Sequence, residues 1–382
     1  MNVLIVGAGP AGLYLAYLLK RQNPQSSIRI VEQNPPDSTF GFGVVFSDRA
    51  LEFLRGDDPA TCELVTPAMQ QWNDLVLHHR GQAIAIDGIG FAAIGRLQLL
   101  QLLQQRLAAA GVVPEYRCLL TDARDLQGYD LVVGADGVNS FVRKGRENEF
   151  GTRIEYLANR FVWYGTTRPF AALSQTFVQT EAGTFNAHHY RYAPDMSTFI
   201  VECDPATWER AGFAALDESA TKAYCERVFA ATLDGHPLVT NRSLWRRFPK
   251  VWSEHWFAGN TALIGDALRT AHFSIGSGTR LAFEDAIALA SSLRDYPHAL
   301  ADALAAFEAA RKPVARKLVA AANASADWYE HFPEQMRLDP WDFAWGYVQR
   351  SGRIDIERLR RVSPRFVAGY EAYAGGRTAA PR

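Results

Sequence analysis

Apolar residues fall in short blocks near both ends of the chain and in alternation between them. Residues 2–6 are a nearly continuous apolar run that reads as a buried strand, and glycines follow at once. Ala11 to Arg21 has helical spacing, and Ile28 to Glu32 is a second strand, which completes one βαβ unit. Thr39 to Ser47 is expected as a glycine-rich loop. Leucines recur at helical spacing from Arg96 to Ala110, and Asp130 to Gly134 is another buried strand. From Phe161 to Cys203 apolar and polar residues alternate with many aromatics, the pattern of an antiparallel sheet. Ala262 to Ile264 is a short buried strand and Thr279 to Leu293 a helix. The alanine-rich stretch from Ala299 to Ala326 is a strong helix former, and the remainder is mostly helical.

Composition narrows the class. The 382 residues allow two domains, or one large domain carrying an inserted second one. A formal net charge of −1 gives no reason to expect nucleic acid or a membrane surface as partner. No run is long and apolar enough to span a bilayer. The N-terminal run lacks a basic leader, so it reads as a strand and not a signal peptide. Cys62, Cys118, Cys203 and Cys225 are far apart and no pair has CxxC spacing, so no metal site is expected. Scattered cysteines of this kind suit reduced thiols and a cytoplasmic location.

The first chemical motif is Gly7-x-Gly9-x-x-Gly12. It follows a strand, opens a helix, and has Glu32 20 residues beyond its last glycine. Gly7 permits a tight turn, Gly9 lets a pyrophosphate approach, and Gly12 lets helix and strand pack closely. The helix start offers free N–H groups to phosphates, and Glu32 can accept from a ribose. The motif does not decide between FAD and NAD. The parallel-sheet signals at both ends, with a β-rich segment between, indicate a dinucleotide-binding domain interrupted by a substrate domain. The expected division is residues 1–72, 92–156 and 256–326 for the first and 73–91 and 157–255 for the second. A C-terminal helical segment, 327–382, completes it.

Two further stretches decide the cofactor. Asp130 to Arg143 contains Asp136-Gly137 followed by Ser140 and Arg143, and Ala262 to Ala267 contains Gly265-Asp266 and precedes Gly276-Ser-Gly278. With the first motif, these resemble the group A flavin monooxygenases, the family of para-hydroxybenzoate hydroxylase. The resemblance implies an α/β fold: a Rossmann-type FAD-binding domain, an inserted antiparallel substrate sheet and a helical C-terminus. It implies non-covalent FAD, NADH or NADPH as electron donor, and O2. Asp266 would bond the ribityl chain, Asp136 would lie near the pyrophosphate and the incoming NAD(P)H, and Arg96 would contact FAD. The same resemblance places Ala11, Gln33, Gly43, Val44, Gly137, Gly265, Gly276, Gly278 and Thr279 in the cofactor site. A helix opening near Thr279 would stabilise negative charge on a reduced flavin by roughly 1–2 kcal/mol. No second GxGxxG is present, so the nicotinamide is expected to bind transiently on the FAD domain.

A narrower resemblance covers most of the chain. Phe40 to Asp48, Trp163 to Thr166, Ala187 to Arg191, Ser197 to Glu202, Leu233 to His236, Trp245 to Pro249 and Ala271 to Thr279 are similar to salicylyl-CoA hydroxylases. They are also similar to the monooxygenase half of the anthraniloyl-CoA monooxygenase/reductases. The hydroxylase of the violacein pathway shares many of them. The family's usual Gly-Asp-Ala-Ala-His continues to a proline. Here Leu268, Arg269 and Phe273 stand at the Ala, His and Pro positions, which bears on the pocket wall near the flavin.

The substrate expected from the resemblance is an activated aromatic ring, a 2-hydroxy- or 2-aminobenzoyl-CoA thioester, a tryptophan-derived indole or a free aromatic acid. The oxygen-independent alternative is a flavin oxidoreductase on the same fold. In Ala187 to Tyr192, His188, Tyr190 and Tyr192 share one strand face and His189 and Arg191 the other. His188 reads as a proton acceptor or donor to a ring substituent, or equally as a satisfied sheet histidine. His272 and Phe273 are expected to line the flavin pocket. Trp163, Trp245 and Phe273 could stack on an acyl group or simply be core. Arg242, Arg246, Arg247 and Lys250, or the basic residues from Arg350 to Arg365, are candidates for CoA phosphates. A solvated face is the favoured reading for most of them.

Overall fold

The computed structural model describes residues 1–47, 52–352 and 354–378; Asp48 and Arg353 lie outside these. Asn2–Val6 lies inside a six-stranded sheet, and all four of its apolar residues, Val3 to Val6, are buried. It pairs in parallel with Ser27–Glu32 on one side and Leu131–Gly134 on the other. Thr261–Leu263 extends the sheet in parallel beyond Leu131–Gly134, and Phe257–Ala258 closes that edge antiparallel. The helices Pro10–Gln22, Arg96–Ala109 and Gly278–Asp295 pack together.

The ends of the strands and helices agree with the pattern to within a few residues, with two exceptions. The expected Thr39–Ser47 loop ends in a strand, Gly43–Ser47, paired antiparallel with Phe91–Gly95. Gln70–Trp72 makes the third strand of this small sheet. Val44 and Phe46 point into the core, an alternation that the flanking glycines obscure in the sequence. The strand of the large sheet that holds Phe161 also begins earlier than the alternation shows, at Thr152. The residues from Arg153 to Tyr156 are exposed on both faces, so they carry no amphipathic signal; Arg246–Ser253 holds them by pairing.

The core order of the large sheet is Leu238–Val239, Thr152–Thr166, Met196–Cys203, Thr184–Ala193, Leu173–Gln179, Leu75–His79, Gln82–Ile86. One face packs on Phe213, Cys225, Phe229 and Leu233. The other turns toward the C-terminal helices, where Phe177 meets Phe332 and Phe343. The helix Leu300–Glu330 ties the two parts together. At 1.5 Å rise per residue its length is about 45 Å. Phe307 near its start packs on Trp256, and Tyr329 near its end reaches His188. Among the described residues no helix is long and apolar enough to cross a membrane.

Candidate active site

The glycine motif forms a cradle whose three glycines do different work. Gly7 has φ +102°, and a Cβ there would lie 2.4 Å from Ala135 O. A Cβ on Gly12 would lie 2.1 Å from Gly7 O. Both glycines are demanded by the fold itself. A Cβ on Gly9 would meet nothing within 4 Å, so its side faces open space at the start of the helix Pro10–Gln22. No side chain caps that helix start and no acidic residue lies in its first turn, which leaves its N–H groups to a ligand. Glu32 stands beside the turn: its Oε2 accepts from Ala8 N–H at 3.0 Å, and its Oε1 accepts from Asn34 N–H at 2.9 Å. Gln33 is exposed.

The other motif residues converge on the same opening. Gly265 has φ +60°, and a Cβ there would sit 3.4 Å from Ala11 Cβ, so these two loops touch. Asp266 is exposed to solvent, yet desolvation raises its carboxyl pKa and the Arg96 guanidinium opposes the rise. A group reached by water but walled by protein lies in a cleft. Arg96 itself is desolvated, and its Nε is buried with no hydrogen-bond partner among the described residues. Its backbone N–H donates to Phe42 O at 2.7 Å, which sets it beside Gly43 and Val44. Asp136 Oδ2 accepts from Phe141 N–H at 2.6 Å and Val142 N–H at 3.2 Å, while Oδ1 is buried and unpartnered among the described residues.

Gly276, with φ +60°, abuts Val45, and Gly278 opens an 18-residue helix. That helix start also lacks a side-chain cap and first-turn acids, and Gly278, like Gly137, faces open space. Thr279 lies in its first turn. Two uncapped helix starts, space at Gly9, Gly137 and Gly278, and unpartnered Asp136 and Arg96 atoms fit an anionic dinucleotide with a polar linker. FAD would be held by these residues. Among the described residues no group of His, Cys, Asp or Glu is arranged to hold a metal.

Beside this cleft lies a buried polar cluster with aromatic walls. His188 is on Thr184–Ala193 and 5% exposed; its ring is 5.2 Å from that of Phe273 and 4.9 Å from that of Tyr329. Phe273 also meets Phe161 at 5.0 Å and His272 at 4.2 Å, and Phe248 meets His272 at 4.8 Å. His188, His272 and Phe273 are therefore brought together. Tyr190 is not in this ring cluster: its hydroxyl donates to Gly43 O at 2.9 Å and it packs on Trp72. It serves the junction between strand and cofactor loop. Burial drives the His188 pKa down to about 3 and that of His272 to about 4, so both are neutral near pH 7.

Three members of the cluster escape sequence reasoning, and a fourth, Arg350, is singled out there only as a candidate for CoA phosphates. Glu202 is 2% exposed and stands 3.6 Å from His188 through Oε2 and Nε2. Asn159 Nδ2 donates to Glu202 Oε1 at 3.0 Å, and Tyr329 and Arg350 complete the group. The available signal is an acid at a core-facing position inside the apolar run Phe199-Ile-Val-Glu202-Cys.

Arg350 departs from the favoured solvated-face reading. Its guanidinium is 3.7 Å from the Tyr347 ring centre and donates to Ser325 Oγ, Tyr347 O and Ser274 O. Arg247 donates to Leu157 O and Tyr156 O, Lys250 pairs with Glu155, and Arg242 lies over Phe40. Trp245 packs on Phe213 in the core away from His188, and Trp163 lies against Gly41. Arg269 does not form pocket wall. It makes a bidentate pair with Asp285 at 2.7 and 2.8 Å, both side chains being at most 1% exposed. Asp285 Oδ2 also accepts from Gly265 N–H at 3.0 Å, so the pair braces the Gly265-Asp266 turn from behind.

A dinucleotide cradle opening beside a buried aromatic-walled polar cluster defines a flavoenzyme that acts on a small aromatic molecule. Comparison with known proteins gives the class: residues 108–322 match the family model described as FAD binding domain. Residues 2–123, which hold the glycine motif, also match the model described as lycopene cyclase protein. The chain is 40% identical over 390 residues to salicyloyl-CoA 5-hydroxylase of a Streptomyces species, covering 97% of this chain and 75% of that protein. It is 33% identical over 359 residues to protodeoxyviolaceinate monooxygenase of Chromobacterium violaceum, covering 92% and 94%. Among solved structures, P. aeruginosa PqsL in complex with 2-aminobenzoylacetate superposes with a TM-score of 0.69 at 22% identity, covering 91% of this chain and 99% of that one. That likeness shows the fold. The chain belongs to the FAD-dependent aromatic monooxygenases, enzymes that use NAD(P)H and O2.

Proposed function

We propose that this enzyme hydroxylates a 2-hydroxy- or 2-aminobenzoyl thioester at the carbon para to the ring donor. The observation that carries the reading is the buried cluster of His188, His272 and Glu202 walled by Phe161, Phe248 and Phe273, beside the cradle. The 40% identity to salicyloyl-CoA 5-hydroxylase supports the thioester. The similarity to protodeoxyviolaceinate monooxygenase makes an indole the competing substrate.

The chemistry FAD supplies when bound is acceptance of hydride from NADH or NADPH and activation of O2. The chain's residues do the rest. Asp266, Arg96, Asp136 and the glycines bind and orient the cofactor, and the Gly278 helix start favours its reduced, anionic form. An electrophilic oxygen seeks electron-rich carbon. A thioester withdraws electrons, so the donor hydroxyl or amine must direct the attack, and its para carbon is less crowded than the ortho one. The aromatic walls exclude water, which would otherwise divert the activated oxygen to H2O2. The expected product from a 2-hydroxybenzoyl thioester is the 2,5-dihydroxy compound.

The test offers salicylyl-CoA, anthraniloyl-CoA, the free acids and tryptophan-derived indoles to purified protein with FAD and NADH or NADPH. Oxygen uptake matched by hydroxylated thioester supports the reading. Turnover of free acids or indoles alone removes the thioester and leaves the monooxygenase.

A further inference from the structure

We infer that Glu202, and neither histidine, takes the proton from the substrate's ring donor. The inference rests on the aromatic hydroxylation proposed above and assigns a residue to its proton step. Glu202 lies on Met196–Cys203, paired across the sheet with Phe161 and Asn186. Its Oε1 accepts from Asn159 Nδ2. Its Oε2 is 3.6 Å from His188 Nε2, too far for a hydrogen bond, and neither atom has another partner among the described residues. A carboxylate oxygen left in this state is an acceptor waiting for a donor.

The histidines cannot play that part, because each is locked in the tautomer that lacks a free lone pair. Arg350 only donates. Its Nε donates to Ser325 Oγ at 3.1 Å, Ser325 Oγ is 2.8 Å from Ser274 Oγ, and Ser274 Oγ is 2.8 Å from His272 Nδ1. Either serine of that pair can donate to the other, so the backbone decides: Ser274 N–H, which only donates, lies 3.4 Å from His272 Nδ1 and makes it the acceptor. His272 therefore carries its proton on Nε2. At His188, the Gln175 amide Nε2 lies 2.8 Å from Nδ1 and donates to it, so Nε2 again holds the proton. Burial keeps both rings neutral. His188 thus presents an N–H and no lone pair to Glu202 Oε2, and burial raises the affinity of this carboxylate for a proton.

The step balances. As the activated oxygen bonds to the ring carbon, the donor's O–H or N–H bond breaks and its electron pair moves into the ring. The proton goes to Glu202 Oε2. The second oxygen atom of O2 leaves at the level of hydroxide and takes up the ring's C–H proton to give water as aromaticity returns, and the donor is reprotonated from Glu202. The titratable groups coupled to this carboxylate are His188 and His272, Tyr329 and Glu330 of the long helix, and Cys203 on its own strand. Arg350 acts on both histidines.

The test is Glu202→Gln, which keeps shape and an acceptor for Asn159. The expected protein holds FAD and melts as wild type, but forms product roughly a hundredfold more slowly. It releases H2O2 instead and loses the acid limb of the rate–pH profile. Glu202→Asp recovers part of the rate. A folded Glu202→Gln protein with wild-type rate and coupling overturns the inference. Should that variant fail to fold, the ultraviolet difference spectrum of a bound phenolic substrate decides. His188→Gln retains the phenol ionisation step if Glu202 is the acceptor, and loses it if the histidine is. Absence of any hydroxylated product from the wild-type enzyme sinks the broader functional reading, a different result from either of these.

Discussion

Around Gly7, Gly9 and Gly12 the polar groups offered to a ligand are backbone N–H groups at an uncapped helix start, open to solvent. Around Glu202 they are side chains, taken from four strands, a loop, a long helix and the C-terminal segment, and most are out of water. The first arrangement tolerates change of side chain but not of backbone shape. The second depends on the identity of each side chain and on its protonation. The cofactor cradle and the proposed site of ring chemistry would thus be built by different means within one chain.

The largest effect is expected behind the cradle. Asp285→Ala leaves the buried Arg269 without its carboxylate, while the neighbouring Arg311 keeps Glu284. Loss of one partner of a buried pair costs about 3–5 kcal/mol, which denaturant unfolding of the FAD-loaded protein measures. An unchanged midpoint would show that this brace is not structural.

Next come the glycines, which separate folding from binding. Gly12→Ala forces a contact with Gly7 O and should destabilise the protein by about 1–3 kcal/mol. Gly9→Val meets open space, so the apoprotein should melt as wild type while FAD affinity falls roughly a hundredfold, about 2.7 kcal/mol. Equal loss of melting temperature in both variants would place the ligand elsewhere. A smaller effect, roughly tenfold in FAD affinity, is expected for Asp266→Ala, read by fluorescence titration.

The smallest is a pH effect on the cluster. His188 and His272 titrate near 6.5 when unfolded and at about 3 and about 4 when folded. Between these values the unfolded chain binds more protons, so their contribution to stability is present above about pH 6.5 and is lost as pH falls toward 4. Glu202, whose folded pKa is raised, works in the opposite direction. The melting temperature of His272→Gln should therefore fall less between pH 7 and pH 4 than that of wild type. Parallel curves would contradict the burial of a neutral histidine.

The same contrast explains what the sequence reveals. Gly7, Gly9, Gly12, Glu32, Asp136 and Asp266 were legible because backbone geometry ties each to a fixed spacing along the chain. Strands and helices near them were legible for the same reason. His188 could be singled out by residue type, but Glu202, Asn159, Tyr329 and Arg350 meet it only through strand pairing and the return of the long helix. Arg269 shows the converse. Its place in a motif suggested the pocket wall, while its charge required a buried partner, and Asp285, sixteen residues on, supplied it. The strand Gly43–Ser47 was hidden because Gly43 serves close packing against Tyr192 and not a turn.

The central claim is that a ring held against this cluster receives oxygen from O2. It is tested most directly by turnover of 2-hydroxybenzoyl-CoA under isotopically labelled O2, with FAD and NADH or NADPH present. The account predicts a 2,5-dihydroxybenzoyl thioester carrying one labelled oxygen atom, formed in step with NAD(P)H oxidation. Oxidation of NAD(P)H that yields only unlabelled products, or that proceeds equally well without oxygen, would contradict it.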